Sequence, residues 1–408
     1  MRLTNTIVKA SVGRLSLHHL KSAYWVEINP ATLAAIEDAL RDGRGRGGEL
    51  LERLERRGLV APQPFVPVPR RDASDLVTLE IEPISRCNLP CRHCFVRFSG
   101  SKMSEATFSA VLAGAQELGA VELAFNGGEP LLHDRCLDWI ERARAAELRV
   151  ILFSNATRVD PARAARLADA GVAKVVVSLD GFQREHDALR GEGAFALAEA
   201  GIRHLTRAGV AVWITTLVHP GNHATVEALA RHAVEELGAR GVRRTTVMPL
   251  GRAAGRAELE VDDAQFRAVY GGTVDCGAAR AEPMLPCAAG VDKLYVRADG
   301  SVYGCHLFEQ AGATLGSLAE RSLPEIYRGP RAGSWPYRGF VPDDLDGCIG
   351  CADLVRCAGG CRARAWLMTG DARGRDPSAC RRAQSAAAQV STPSRAQPAG
   401  HRAAHPDG

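Results

Sequence analysis

Two hydrophobic periodicities divide this chain. In residues 1–60, Val26-Glu27-Ile28 alternates apolar and polar positions as a strand does, and Asn29-Pro30 forms a turn. Leu33, Ile36 and Leu40 then share one face of a predicted helix over 31–40, and Leu51, Leu54 and Leu59 repeat that face over 49–59. The pattern predicts a small module of strand plus helices. From Leu76 the period changes. Apolar runs at 76–84, 121–125, 149–153, 174–179, 210–217 and 242–247 predict six strands, with amphipathic helices between them. Val175-Val176-Val177 is an unbroken β-branched run, as a strand covered on both faces requires. One intervening helix has Asp160 as cap, Pro161 at its first position and Gly171 at its stop. Strands alternating with helices predict an α/β fold with a parallel sheet and right-handed crossovers. Six such units make a partial or complete (β/α)6 TIM-like barrel. A flat doubly wound sheet has the same periodicity and stays open as an alternative.

Other boundaries follow from composition. Pro62, Pro64, Pro67 and Pro69 make 61–73 a semi-stiff linker, leaving 74–270 for the barrel. Residues 271–384 are rich in Cys, Gly and short turns. They include one predicted hairpin, with strands at 294–296 and 302–303 and a turn at Asp299-Gly300. Residues 385–408 carry almost no large apolar side chain and are expected to be disordered.

Charge narrows the function. A net charge of +4 on 408 residues is too mild to argue for nucleic acid. No apolar run reaches the ~18 residues of a spanning helix, so no membrane is expected. The first residues lack the apolar region of a secretory signal. In an exported protein, twelve cysteines would suggest disulfides; here they point to metal in a reducing cytoplasm.

The cysteines fall into two sets. Cys87-x3-Cys91-x2-Cys94 lies on the loop after the first barrel strand, and functional groups of such barrels gather at the carboxyl ends of strands. Soft thiolates this close hold soft metal centres. Three thiolates can hold three irons of a [4Fe–4S] cube, leaving the fourth open to a small molecule. Structural zinc prefers paired cysteines and fits this spacing poorly. Asn126-Gly127-Gly128-Glu129-Pro130 follows one strand later, where two glycines admit close approach to a ligand and a carboxylate can accept from an ammonium group. Ser154-Asn155 and Ser178-Leu179-Asp180-Gly181 end the next two strands. As single residues they serve equally as helix caps.

This arrangement, with Phe95 after the last cysteine, resembles the radical S-adenosylmethionine enzymes. The resemblance implies that Cys87, Cys91 and Cys94 bind a cluster whose open iron chelates the methionine part of S-adenosylmethionine. Cleavage of that cofactor then gives a 5′-deoxyadenosyl radical that abstracts hydrogen from substrate. It also implies cofactor contacts from Phe95, Gly127, Gly128, Glu129, Ser154, Asn155, Ser178 and Asp180, with Arg190 pairing the cofactor carboxylate. A ferredoxin or flavodoxin is the expected electron donor.

The second set reads Cys287-x12-Gly300-x4-Cys305, then Cys348-x2-Cys351-x5-Cys357-x3-Cys361, then Cys380. It resembles the SPASM domain, a C-terminal extension of many radical S-adenosylmethionine enzymes. The resemblance implies two auxiliary [4Fe–4S] clusters, three in all. One sits on Cys348, Cys351, Cys357 and Cys380. The other sits on Cys287, Cys305 and Cys361, with Cys276 a candidate fourth ligand. Cys136 fits neither set and reads as a buried structural thiol. His306, directly after Cys305, stands where sulfatase-maturing members carry an acidic residue. That puts formylglycine chemistry in doubt and makes His306 a candidate proton acceptor, with a packed or exposed ring as the alternative.

Residues 1–60 resemble, in size, position and pattern, the small winged-helix-like elements that bind leader peptides as an added strand. A DNA-binding winged helix has the same pattern, but no basic recognition helix stands out. These layers together predict a cytoplasmic radical enzyme that cross-links or oxidises a ribosomally made peptide or small protein. The rivals are the same chemistry on a small molecule such as a tetrapyrrole, and a non-catalytic metal-stabilised binding protein.

Overall fold

The computed structural model describes residues 2–3, 6–11, 14–21, 25–42, 48–57, 59–61, 63, 70, 73–270, 287, 289–329, 345, 347–351, 354–357 and 359–381. Cys276, the 385–408 tail and most of the 61–73 linker lie outside the described residues.

The N-terminal module runs β1 (Arg2–Leu3), β2 (Thr6–Ser11), β3 (Arg14–His19), β4 (Trp25–Ile28), α1 (Pro30–Asp42), α2 (Gly48–Arg56) and β5 (Val60–Ala61). Strands β2, β3 and β4 form an antiparallel sheet in that order. Leu17 of β3 packs against Ile36 and Leu40 of α1, Leu51 and Leu54 of α2, and Leu59. The leucine face expected of the helices is therefore the face they bury. The β2–β3 hairpin was not expected: Leu15 and Leu17 do alternate with Ser16 and His18 in β3, but Ile7 and Val8 stand side by side in its partner β2 and break the period there. Pairing of β1 with β5 makes Ala61, the first linker residue, part of the module.

The six expected strands are present as β6 (Thr78–Ile81), β7 (Glu122–Phe125), β8 (Arg149–Ser154), β9 (Lys174–Ser178), β10 (Val212–Val218) and β11 (Val242–Thr246). β6 is shorter than the 76–84 run, which contains Pro83; a proline has no N–H for the ladder. The strands pair in parallel in chain order, β6-β7-β8-β9-β10-β11, with no reversal. A doubly wound sheet reverses its order at a switch point, so that alternative falls. Leu79, Ile81, Leu123, Phe125, Val150, Leu152, Val175, Val177, Val212 and Ile214 all bury their side chains in one core. That core also takes the buried apolar faces of α3 (Glu105–Glu117), α4 (Cys136–Ala145), α5 (Pro161–Asp169), α7 (Ala194–Arg207) and α8 (Val226–Glu235), through residues such as Phe108, Trp139, Leu167, Ile202 and Leu229, while α6 (Gln183–Arg190) puts Leu189 in a separate cluster with Leu217, Val247, Ala253 and Leu259. The start of α5 is as expected: Asp160 accepts from the Arg163 N–H, Pro161 is at the first position, and Gly171 adopts φ +71°. Cys136 is buried in the same core, and burial pushes its thiol pKa far up.

Among the described residues the sheet does not close on itself. The far edge of β6 pairs in parallel with β12 (Lys293–Val296), and β13 (Ser301–Tyr303) and β14 (Thr314–Ser317) follow. The expected hairpin at Asp299-Gly300 is thus not a separate unit. It extends the barrel sheet and leaves β11 as an open edge.

The N-terminal module docks on the amino ends of the barrel strands. Ile7 and Leu20 pack with Val121 and Val77. Lys9 is fully buried there, and its Nζ donates to the carbonyls of Ser74 (2.6 Å) and Gly119 (3.0 Å). Arg144 donates to the Leu20 carbonyl at 2.8 Å. Burial beside Arg149 and Lys9 pushes the His18 pKa down to about 3.

Candidate iron–sulfur centre and cofactor site

The loop after β6 is tied down before it presents its cysteines. Ser85 N–H donates to Ser101 O, Gly100 N–H to Ser85 O, and Met103 N–H to Pro83 O, closing its base. The strap after β7 clamps it from the side. Glu129 N–H donates to Arg86 O at 2.9 Å, and a Cβ added to Gly128 would lie 1.9 Å from that same oxygen. Only glycine fits at that approach. From the third side, Arg252 N–H donates to Cys94 O at 2.8 Å.

This loop brings Cys87, Cys91 and Cys94 close enough to act on one another. Burial raises all three thiol pKa values. Cys91 further raises Cys87, Cys94 raises Cys91, and Cys87 raises Cys94. Neighbouring buried thiols cannot all ionise unless a cation takes the place of their protons, which is the condition that metal binding meets. Asn155 Nδ2 lies 3.8 Å from Cys87 Sγ, and Arg190 Nη1 lies 3.8 Å from Cys91 Sγ. Both are donors that favour thiolate over thiol. Among the described residues no three His, Cys, Asp or Glu side chains form a site for a single ion. In a cube each thiolate binds its own iron, so its ligands need not converge on one point.

The other expected cofactor residues divide into two kinds. Gly127, Gly128, Ser154, Asn155 and Ser178 stand at the carboxyl ends of β7, β8 and β9, beside the cysteine loop. Asn155 ties the β8 end to that loop, with Nδ2 donating to Asn88 Oδ1 at 3.0 Å. Glu129, Asp180 and Arg190 are instead turned to protein groups. Glu129 is fully buried and accepts from Ser154 Oγ (2.9 Å), Asn155 N–H (2.8 Å) and Leu131 N–H (3.2 Å). Burial raises its pKa against those hydrogen bonds. Asp180 is fully buried too. It accepts from Arg190 Nε at 2.5 Å and from Leu217 N–H at 2.8 Å. Burial disfavours its charge, but Arg190, His93 and His186 outweigh that and hold its pKa at about 2. In this structure Arg190 therefore pairs with Asp180, because the two lie one helix apart at the same strand end.

Phe95 stacks on the His306 ring with centroids 5.6 Å apart. His306 Nδ1 lies 3.1 Å from Glu80 Oε2, and Lys293 Nζ donates to Glu80 Oε1 at 2.8 Å. Burial works against the Glu80 charge, yet Lys293 and His306 hold its pKa down at about 2. Glu80 was not anticipated. Its signal was present as a carboxylate between Leu79 and Ile81, followed by Glu82, inside a mostly apolar run.

The C-terminal cysteines form two neighbourhoods. Burial raises Cys305 to about 12, with Cys287 and Cys361 contributing, and burial with Cys361 raises Cys287. Burial likewise raises Cys348 and Cys380; Cys357 and Cys351 add to the first, Cys357 and Cys348 to the second. These influences join Cys287 with Cys305 and Cys361, and Cys348 with Cys351, Cys357 and Cys380. Cys276 lies outside the described residues. Arg362, also unanticipated, is fully buried and lowers both Cys287 and Cys348, so it stands between the two sets. Its guanidinium donates to the carbonyls of Ala372 and Gly374, both at 2.9 Å, and to that of Gly359.

Comparison with known proteins agrees with this geometry. Residues 81–233 match the radical SAM superfamily, and residues 287–352 match SPASM, an iron–sulfur cluster-binding domain. An AdoMet-dependent heme synthase of Oleidesulfovibrio alaskensis is 27% identical over 79% of this chain and 92% of its own length. A PqqA peptide cyclase of Methylocella silvestris is 27% identical over 74% of this chain and 86% of its own. Among solved structures, Streptococcus suis SuiB bound to precursor peptide SuiA superposes with a TM-score of 0.68 at 14% identity, covering 93% of this chain and 99% of that one. Native anSMEcpe with bound AdoMet and Cp18Cys peptide gives 0.64 at 18% identity, covering 77% and 97%. The chain is thus a member of the radical SAM superfamily, an enzyme with a C-terminal SPASM domain whose cofactors are iron–sulfur clusters and S-adenosylmethionine.

Proposed function

We propose that this enzyme cross-links or oxidises a ribosomally made peptide at an unactivated carbon. The observation that carries the reading is the N-terminal module, locked to the barrel through buried Lys9. The fold shared with peptide-bound SuiB covers 93% of the chain, a share too large for the barrel and C-terminal part alone, and this supports the reading. A relative named as a peptide cyclase supports it further.

In this reading Cys87, Cys91 and Cys94 hold one [4Fe–4S] cluster. Gly127, Gly128, Ser154, Asn155, Ser178 and Phe95 line the S-adenosylmethionine beside it. Glu129 and the Asp180–Arg190 pair hold those walls in place. Cys348, Cys351, Cys357 and Cys380 hold one auxiliary cluster. Cys287, Cys305 and Cys361 hold the other, with Cys276 as candidate fourth ligand. When bound, the cofactors supply a 5′-deoxyadenosyl radical that removes hydrogen from substrate. Ionised Glu80 takes the Nδ1–H of His306, which leaves Nε2 as the acceptor for a substrate proton. A ferredoxin or flavodoxin delivers the electron. No helix among the described residues is long and apolar enough to cross a membrane.

The test is co-expression with a short open reading frame adjacent to the gene, followed by mass spectrometry of the peptide. A loss of hydrogen mass that depends on Cys91 is the expected result. A second reading, radical chemistry on a tetrapyrrole, is favoured by relatives named AdoMet-dependent heme synthase and pre-heme d1 synthase. Conversion of a porphyrin by the reconstituted enzyme, with every candidate peptide unchanged, would replace the first reading with the second.

A further inference from the structure

The inner face of the open sheet carries charge that the cysteine site leaves unused. Val175, Val177, Val212 and Ile214 point outward into the helical core, so Lys174, Val176, Trp213 and Thr215 point inward. Arg243 is paired with Thr215 and faces the same way. Arg149 of β8 also faces inward and is already matched by Glu122, at 2.7 Å. Lys174 and Arg243 are not matched: among the described residues neither side chain has a hydrogen-bond or ion-pair partner. Burial lowers the Lys174 pKa; Arg149 and Arg243 also lower it and Glu122 opposes them, so all four charges are neighbours. Trp213 lies among them, 39% exposed. Its indole rests on Gly241, the residue before β11; a Cβ there would come within 2.7 Å of it.

This strip has two ends, and both matter. Its lower end meets the docked N-terminal module, where Arg149 acts on His18 of β3. Its upper end is the carboxyl edge of β9 to β11, from which the chain continues to Arg252 and its bond to Cys94 O. A five-residue strand spans about 16 Å, which about five residues of extended peptide match. Two unmatched cations with an exposed tryptophan suit a ligand that brings carboxylates and an apolar side chain.

We propose that this strip is the track for an acidic segment of the peptide substrate, which runs from the N-terminal module to the cysteine loop with carboxylates on Lys174 and Arg243 and an apolar side chain on Trp213. The inference rests on the peptide reading above and adds the chemistry of the segment and its path.

The test uses the full-length, anaerobically reconstituted enzyme and fluorescence anisotropy. The probes are a fluorescein-labelled decapeptide of alternating Glu and Leu, its Lys and Leu counterpart, and a porphyrin tetracarboxylate. The acidic peptide should bind the wild type, and binding should weaken as salt rises from about 50 to about 500 mM. Lys174→Glu with Arg243→Glu should lose about tenfold in affinity for the acidic peptide and gain affinity for the basic one. Misfolding cannot produce that gain. Lys174→Arg with Arg243→Lys should keep acidic binding, and Trp213→Ala should weaken it by a factor that salt does not change. Acidic binding that survives charge reversal, with no gain for the basic peptide, overturns the track. If a mass change in a precursor peptide persists in that case, the peptide reading stands without it. Charge-dependent binding of the porphyrin alone, with no peptide binding, overturns both.

Discussion

The Asp180–Arg190 pair offers a demanding test of how the cofactor wall is built. Asp180→Asn keeps the side chain's shape and its acceptor for Leu217 N–H but removes the charge that faces Arg190. Asp180 is fully buried and Arg190 nearly so, so the guanidinium is left without a counter-charge in low dielectric. Breaking such a pair costs about 3–5 kcal/mol. The pKa of Asp180 gives an independent figure: a fall from 3.8 to about 2 corresponds to about 2 kcal/mol. The sign is fixed by the direction of that fall. The contribution is complete above pH ~4 and disappears as pH drops through about 2. Thermal unfolding of the anaerobic protein at neutral pH should show a midpoint lowered by about 10 °C in Asp180→Asn. Adding Arg190→Met should recover part of the loss, because the double variant no longer buries a lone charge. A single-variant shift under about 2 °C, or a double variant that falls by the sum of the two single shifts, refutes the argument.

Other outcomes follow from the same geometry. Cys91→Ala should remove about four of about twelve irons per chain and abolish 5′-deoxyadenosine release, which iron assay and chromatography read directly. Gly128→Ala places a methyl within 1.9 Å of a backbone oxygen that cannot step aside cheaply. It should cost about 3 kcal/mol and displace the cysteine loop; wild-type iron content together with a wild-type unfolding midpoint would contradict this. Lys9→Met strips a buried carbonyl and a part-buried one of their donor, so limited proteolysis should cut near residues 61–73 sooner than in the wild type, with the barrel intact. Arg362→Met removes a buried cation beside both C-terminal cysteine sets, and a redox titration followed by electron paramagnetic resonance should show the auxiliary potentials moving negative.

Much of this architecture was readable from residue order. Each of the six strands announced itself by an apolar run, and α5 by Asp160, Pro161 and Gly171. The β2–β3 hairpin escaped because Ile7 and Val8 stand side by side in β2 and break the period there, and two of its polar residues, Lys9 and His18, are what the docking surface buries. At the site, the types of residue were foreseen better than their partners. Glu129 and Asp180 follow the expected strands and Arg190 closes α6, and in this structure their charges face protein groups. Lys174, Trp213 and Arg243 gave no signal, since alternation puts each on a face but does not say which charges of other strands will lie beside it.

By itself the sequence determined what local spacing can encode: the three close thiols of one loop, the seven of the second set, the strand–helix alternation and the turn at Asp299-Gly300. These depend on covalent separation, which the chain carries before it folds. The tertiary structure alone decided which strands are neighbours, that β12 extends the barrel at β6, that the module sits at the amino ends of the strands, and which charges meet inside the open sheet. Period 2 assigns a side chain to a face but never names the strand next to it. Pairings between residues some two hundred positions apart, such as Lys293 with Glu80, exist only once packing has set the register.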